Sequence, residues 1–451
     1  MTEFKLKKGY DIRITGKAEK AVVDAPRAKR YGIKPTDFRG VVPKLEVQVG
    51  DTVKAGSVLF HEKKNPAIKF TSPVSGKVVE VNRGERRRIL EVVVEADAED
   101  SYNEFKVFGA EDLKTLSADD ASSILLESGL WTSIVERPYG RIARPSEKPR
   151  DIFISAMDTA PLAADPNVIV DGHDELFQVG VDVLAKFTEG DVHVSVDGSR
   201  SDNAAAFTNV KNAKLHTFSG PHPAGNVGVQ IHHIRPINRG DVVWTLRPAD
   251  VLAIGRLFSE GKVKLETVVA VAGENVTSRK YFKTIRGAEM SSLIADGIKE
   301  NSRIISGNVL TGNKVEADGF LGFYHNTVSV IPEGNQMEFL GWVSPGLNKE
   351  SFSGTFFSKF FPKKEYSHNT NLKGGHRAFV QSGYYEQVLP MDIYPVHLIK
   401  SCLAEDLEEM EGLGIYEVIE EDLALCEYVC ASKVQVQDVI SDAIDLMIRE
   451  M

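Results

Sequence analysis

The stretch HEKKNPAIKFTSPVSGKVVEV, from His61 to Val81, decides how the N-terminal region is read. Alternation of apolar and polar residues in KVVEV marks a strand with one buried face, and Ser-Gly punctuates its start. Upstream, SVLFHEK and IKFTSP flank a turn at Lys63, Lys64, Asn65 and Pro66. Working outward, PKLEVQV ends in a Gly-Asp turn before this stretch, and RILEVVVEA follows it. Short strands broken by turn residues predict a small all-β sandwich or barrel over residues 1–105.

Strand, Gly-Asp turn, strand, lysine-bearing hairpin and Pro-x-x-Gly turn together have the cadence of a lipoyl or biotinyl carrier domain. In such domains the modified lysine sits at the hairpin tip, eight residues before the proline that opens the next strand. Counting back from Pro73 reaches Asn65, with Lys63 and Lys64 beside it. The local K-K-N-P lacks the Asp-Lys-Ala or Met-Lys-Met of the modified sites, so the expectation is the module without its cofactor.

Beyond residue 105 the periodicity changes. DIFISA, VHVSV, KLHTF and VVWTL read as strands that alternate with the helices DELFQVGVDVLAKF, DNAAAFTNV and ADVLAIGRLF, which predicts a Rossmann-like layer of parallel strands over 106–256. Over 257–375, ETVVAVAGENV and RKYFKTI read as strands, with AEMSSLIAD as a helix lodged between strands. That is the order of a β-grasp domain, followed by an aromatic-rich extended connector. Residues 376–451 read as helical: Val436, Val439, Ile440, Ala443, Ile444, Met447 and Ile448 share one face of a last helix. The expected architecture is therefore α/β and multidomain.

A chain of 451 residues is too long for one ordinary core. A 42% hydrophobic and 26% charged composition is globular. The longest apolar runs, such as Val268 to Ala272, fall far short of the ~20 residues needed to cross a bilayer, and the N-terminus has no secretory apolar region. Three cysteines confined to the last part of the chain argue against a disulfide framework and for a reducing, cytoplasmic setting. A net charge of -10 argues against general nucleic-acid binding.

Several motifs invite chemistry. DIFISA runs into MDTAPLAADP without a glycine, so the G-x-G-x-x-G that lets a backbone approach a pyrophosphate is missing, and no P-loop occurs. The turn SGPHPAGNVG, Ser219 to Gly228, has glycines and could present amides to an anion, again without G-x-G. His216, His222, His232 and His233 cluster in sequence, but no H-E-x-x-H or nearby cysteine accompanies them, and structural roles are expected. Cys426 and Cys430 lie one helical turn apart and Cys402 lies upstream, short of the four thiolates an iron-sulfur cluster usually takes. The basic run Arg83 to Arg88 is expected to tip a hairpin, either solvated or docked on an acidic partner or anionic lipid.

In order along the chain, KNPAIKFTSPVSGKVVEVNRG, SGPHPAGNVGVQIHHI, WTLRPADVLAIGRLFSEGKV and GGHRAFVQSGYYEQVLPMDIYP resemble the NqrA family of the bacterial sodium-translocating NADH:quinone oxidoreductases. The resemblance covers nearly the whole chain. It implies a peripheral component on the cytoplasmic face of the inner membrane, partnered by subunits B to F and touching the membrane through those partners only. The complex would pass electrons from NADH to quinone and pump sodium outward. It also implies a fold similar to the flavin-binding subunit of complex I and to the Rnf complex C subunit, whose domains carry flavin and iron-sulfur clusters. Here the glycine loop is gone and ALCEYVCASK looks like a cluster-binding turn with cysteines replaced. The expectation is no tightly bound cofactor and no metal on this chain, with NADH, flavins and iron-sulfur centres on partner subunits. The same resemblance makes a quinone site the natural search. LESGLWTSIVERPYGRIARP, Leu126 to Pro145, stands where the flavin relatives keep their glycine loop. Trp131 would stack on the ring and Arg137 donate to a quinone oxygen, with Tyr139 and His222 as further candidates. In the alternative, Trp131 is core and Arg137 joins domains. The chain is then a cofactor-free scaffold or an Rnf-type electron-transfer subunit.

Overall fold

The computed structural model describes residues 2–336, 338–341 and 343–450. Its largest sheet has seven strands in the order Thr2–Lys5, Lys214–Ser219, Val192–Asp197, Ile152–Ala156, Val243–Leu246, Val135–Arg137 and Arg141–Ile142. The first five pair in parallel and the last two run antiparallel at the edge. The parallel strands read VHVSVD, IFISA and VWTL because helices cover both faces and nearly every residue is buried. Helices Asp174–Leu184 and Pro248–Glu260 cross closely. A Cβ on Gly255 would lie 2.0 Å from the Leu176 carbonyl oxygen, and one on Gly180 would lie 2.3 Å from that of Val251. The glycines of the AIGRLF and QVGVDV segments thus set the helix spacing.

The hairpin pattern of the opening stretch forms a barrel-sandwich. Arg30–Ile33, Ile89–Ala96, Gly76–Arg83 and Thr52–Val53 make one sheet, and Pro43–Leu45, Val58–Glu62 and Lys69–Thr71 the other. Leu59, Phe60, Val74, Val78, Val92 and Val94 fill the space between them. A third sheet of six strands contains Glu266–Ala272, Lys280–Ile285, Ser302–Ser306 and Thr327–Pro332, with the short helix Met290–Leu293 against it, as the β-grasp order predicts. The C-terminal part is helical, and Val436, Ile440, Ala443, Ile444 and Met447 of Val436–Glu450 are buried, whereas Val439 and Ile448 only flank that core.

One boundary moves. The expected first domain starts at residue 1, but Thr2–Lys5 is an edge strand of the Rossmann-like sheet and Glu19–Asp24 pairs with Lys280–Ile285 of the β-grasp sheet. Both are short strands whose partners lie more than 200 residues away, so local pattern carries no sign of them. The connector contains one 3-10 turn, Phe357–Phe360, and is held to the body: Tyr366 is buried, its N–H donates to the Arg13 carbonyl at 2.7 Å, and Arg13 donates to Glu350 at 2.7 Å.

Candidate functional site

A cavity of about 610 Å³ opens at the C-terminal ends of the parallel strands, where open α/β sheets bind ligands. All four parts of the chain wall it. Asp158 and His222 come from loops after the central strands, Arg39 from the barrel, Tyr324 and His325 from the β-grasp domain, and Glu421 from the helical domain. Its size falls within the usual range for small-molecule sites.

The walls are pinned by long-range ion pairs. Arg137, 1% exposed, donates to Asp422 and to Glu421, each at 2.6 Å. Asp422 also accepts the Ile419 N–H at 3.0 Å, capping helix Glu420–Val429, so one carboxylate both starts the helix and docks it. Burial pushes the Glu421 carboxyl up and the Asp422 charge adds to this, although Arg137 pulls the other way. Arg39 pairs with Asp445 at 2.7 Å and with Glu420, tying the barrel to the same helices. The Tyr324 hydroxyl donates to the Thr132 carbonyl at 2.6 Å, and the Arg247 guanidinium lies 4.6 Å from the Tyr324 ring centre.

His222 is held from two sides. Its N–H donates to Asp11 at 2.8 Å, and its Nδ1 lies 3.1 Å from the Thr159 hydroxyl, which accepts the Gly225 N–H at 2.9 Å. A Cβ on Gly225 would fall 2.6 Å from the Thr159 nitrogen, so the glycine of GPHPAG allows this loop to close. Burial holds the imidazole near pKa 4, hence neutral at physiological pH. With the Thr159 hydroxyl donating to Nδ1, Nε2 carries the proton, a tautomer assigned from the network. That Nε2 is buried and has no hydrogen-bond partner among the described residues. Next to Thr159 on the same wall, enclosure pushes the Asp158 carboxyl up to about 6. Its side chain nevertheless opens to the cavity, and water there moderates the effect.

Of the sequence candidates, the structure brings Arg137 and His222 to the cavity and leaves Trp131 and Tyr139 away from it. Trp131 is 1% exposed, its indole N–H donates to the Ala143 carbonyl at 2.7 Å, and its ring meets Trp244 and Phe187 edge-on, so no face is open for stacking. Tyr139 packs against Tyr416 and under Arg141. Both were drawn in by residue type, and the packing consumes them. Leu126 to Pro145 forms a helix end, a 3-10 turn and the antiparallel edge hairpin rather than a strand-to-helix loop. Sequence reasoning missed Arg247, Asp158 and Tyr324. Arg247 directly follows Val243–Leu246 and Asp158 lies two residues past the end of Ile152–Ala156, so the rule that ligands sit at strand C-termini points to them. Tyr324 has no comparable sequence signal.

The residues of the other motifs are engaged elsewhere in the fold. The loop Met157–Asp165 leads from strand Ile152–Ala156 into a helix of five residues starting at Pro166, which offers no glycine cradle to a dinucleotide. The four histidines part company. His216 meets His193 at 2.9 Å, His222 meets Thr159, His232 pairs with Glu417 at 2.6 Å, and His233 meets the Pro390 carbonyl at 2.9 Å. Asp151, Asp191 and His193 do converge, but Arg150 and Arg235 already occupy Asp151 at 2.9 and 3.0 Å. Cys402, Cys426 and Cys430 are buried thiols; burial pushes Cys402 up to about 12 and Cys426 up as well, against the thiolate a cluster requires. Lys63 and Lys64 are exposed at the hairpin between Val58–Glu62 and Lys69–Thr71, where Glu62 accepts the Lys64 N–H at 3.0 Å. Arg86, Arg87 and Arg88 are exposed at the tip between Gly76–Arg83 and Ile89–Ala96.

Comparison with known proteins agrees with this architecture. Residues 4–97 match the NqrA N-terminal barrel-sandwich hybrid domain, 116–263 the NqrA second alpha/beta domain, and 268–317 the NQRA C-terminal domain of the SLBB type. The NqrA protein of the Na(+)-translocating NADH-quinone reductase of Yersinia pseudotuberculosis is 42% identical over 97% of this chain and 98% of its own length. The corresponding protein of Neisseria meningitidis is 39% identical over 99% of both chains, and that of Photorhabdus laumondii 39% over 98% of both. A solved NAD+-reducing [NiFe]-hydrogenase chain aligns over 78% of this chain and 66% of that one at 12% identity, with a TM-score of 0.36, a likeness too slight to carry fold or function. Barrel-sandwich, Rossmann-like layer, SLBB domain and full-length identity all lead to one assignment: the chain belongs to the NqrA family of the Na(+)-translocating NADH-quinone reductases.

Proposed function

We propose that the chain is a peripheral component, on the cytoplasmic face of the bacterial inner membrane, of a complex that couples electron transfer from NADH to quinone with outward sodium transport. The names of its relatives support this reading, and no helix among the described residues is long and apolar enough to cross a membrane. Sodium then crosses through partner chains, subunits B to F, which also anchor this one. NADH, flavins and iron-sulfur centres reside on those partners, and this chain holds no redox cofactor tightly. Alone, it is expected to show no NADH:quinone reductase activity.

Within that assembly the cavity receives a quinone headgroup. The observation that carries this is the buried, unpartnered Nε2 of His222, a neutral N–H donor for one carbonyl of a flat, largely apolar ligand. The Arg247 guanidinium is a second donor, and Arg137 shapes the wall without touching the ring. A short-chain quinone titrated calorimetrically against the full chain should bind, and His222→Leu, which removes the N–H donor, should weaken it roughly tenfold, the loss of one hydrogen bond. Trp131→Phe should leave the affinity unchanged. An absence of binding supports instead a scaffold that only assembles the complex.

A further inference from the structure

The connector carries a surface that the cavity reading does not use. Residues 351–364, SFSGTFFSKFFPKK, hold five phenylalanines and three lysines and no acidic residue, in a chain whose net charge is -10. Nine of the sixteen exposed large apolar side chains among the described residues lie between 339 and 380, and every exposed phenylalanine is among them. Phe357, Phe360 and Phe361 are 56%, 69% and 50% exposed, with Lys359, Lys363 and Lys364 exposed between and after them. A cluster of this kind on a soluble surface marks a contact.

This turn is held in place. Ser358 is buried, and its carbonyl accepts the hydroxyl of the buried Tyr366 at 3.3 Å. The Phe361 carbonyl accepts Arg13 at 3.0 Å, the Phe357 N–H donates to the Pro345 carbonyl at 3.0 Å, and Lys364 donates to Asn348 at 2.6 Å. The backbone and the half-buried Phe352 and Phe356 face the body, and the Phe357, Phe360 and Phe361 rings face out.

We propose that this turn inserts its phenylalanine rings into an anionic lipid bilayer, with Lys359 and Lys363 on the headgroups. Charge complementarity selects the occupant. Phenylalanine is common to protein and membrane contacts, but lysine is depleted from protein–protein interfaces, and phenylalanine interleaved with lysine is the composition of interfacial membrane anchors. An anionic leaflet attracts a cluster of lysines even on a chain that is acidic as a whole. The arginine-tipped hairpin at Arg86 and Arg87 has the charge, but only Leu90 beside it is a large exposed apolar residue. This contact is additional to anchoring by partner chains and does not rest on the quinone reading.

The test is flotation of the purified full chain with phosphatidylcholine vesicles, with and without phosphatidylglycerol. The intact chain should float with the anionic vesicles only. Lys359→Gln/Lys363→Gln should lower the partition on the order of twentyfold, from roughly fivefold per lysine. Phe357→Ser/Phe360→Ser/Phe361→Ser should lower it by roughly tenfold per ring. Arg86→Gln/Arg87→Gln should leave it intact, and unchanged circular dichroism and melting keep each variant interpretable. No flotation of the intact chain overturns the proposal, as does flotation indifferent to both the lysine and the phenylalanine variants. Loss in the arginine variant moves the contact to the hairpin tip. If the intact chain stays off vesicles and the phenylalanine variant fails to co-purify with the partner subunits in detergent, the surface docks a protein.

Discussion

Two stretches of this chain mix basic and aromatic residues, WTSIVERPYGR at 131–141 and FFSKFFPKK at 356–364, and they have opposite fates. In the first, Trp131 is hydrogen-bonded and enclosed, Arg137 is neutralised by Glu421 and Asp422, and the buried Glu136 accepts Arg141 at 2.7 Å and Arg144 at 3.1 Å. In the second, Phe357, Phe360, Phe361 and the lysines face solvent. Residue types alone made the first look like a ligand site. What separates a wall from a contact surface is whether partners elsewhere in the chain satisfy the charge and cover the ring, and the Arg137 partner lies 285 positions away.

The strongest way to break this contrast is Arg137→Met. It leaves the buried Asp422 without its counter-charge and the half-buried Glu421 without its partner, and urea unfolding should show a loss of about 3–5 kcal/mol, set by Asp422. A loss under about 1 kcal/mol, typical of exposed pairs, would mean that the ion pairs do not hold the domains.

A smaller effect comes from Asp151 at the start of the central strand. Burial raises its pKa, but His193, the Asp191 N–H, Arg150 and Arg235 outweigh this and hold the carboxyl at about 2. Because the folded value lies below the unfolded one, the stabilisation is complete above the ordinary value of 3.8 and is lost as pH falls from there to about 2. Asp151→Asn should therefore cost roughly 2 kcal/mol at neutral pH and flatten the acid limb of the stability curve. An acid limb identical to that of the parent would contradict the assigned network. At the other end of the scale, Phe360→Ser should change stability by no more than about 0.5 kcal/mol by thermal melting, since the ring is already in solvent. A larger loss would place that ring in the core.

Much of the fold was legible because its elements are locally periodic. KVVEV, VHVSV and IFISA gave strands, and the stripe of Val436–Glu450 gave a helix face. Thr2–Lys5 and Glu19–Asp24 were hidden, since a short strand is recruited by a distant sheet and carries no periodicity of its own. The site was less legible. His222 and Arg137 were found by type and do line the cavity, but Trp131 was found the same way and does not. Arg247 and Asp158 are chosen by position at the strand ends, and Tyr324 by a sheet that folds over them.

The central claim is that the cavity, through His222, meets the quinone. It is tested most directly by selective 15N-histidine labelling of the full chain and titration with a short-chain quinone. The account predicts that the His222 ring nitrogens shift with saturation, while those of His216, His232 and His233, engaged with His193, Glu417 and Pro390, stay still. A His222 signal unmoved by a quinone that binds the chain would contradict it.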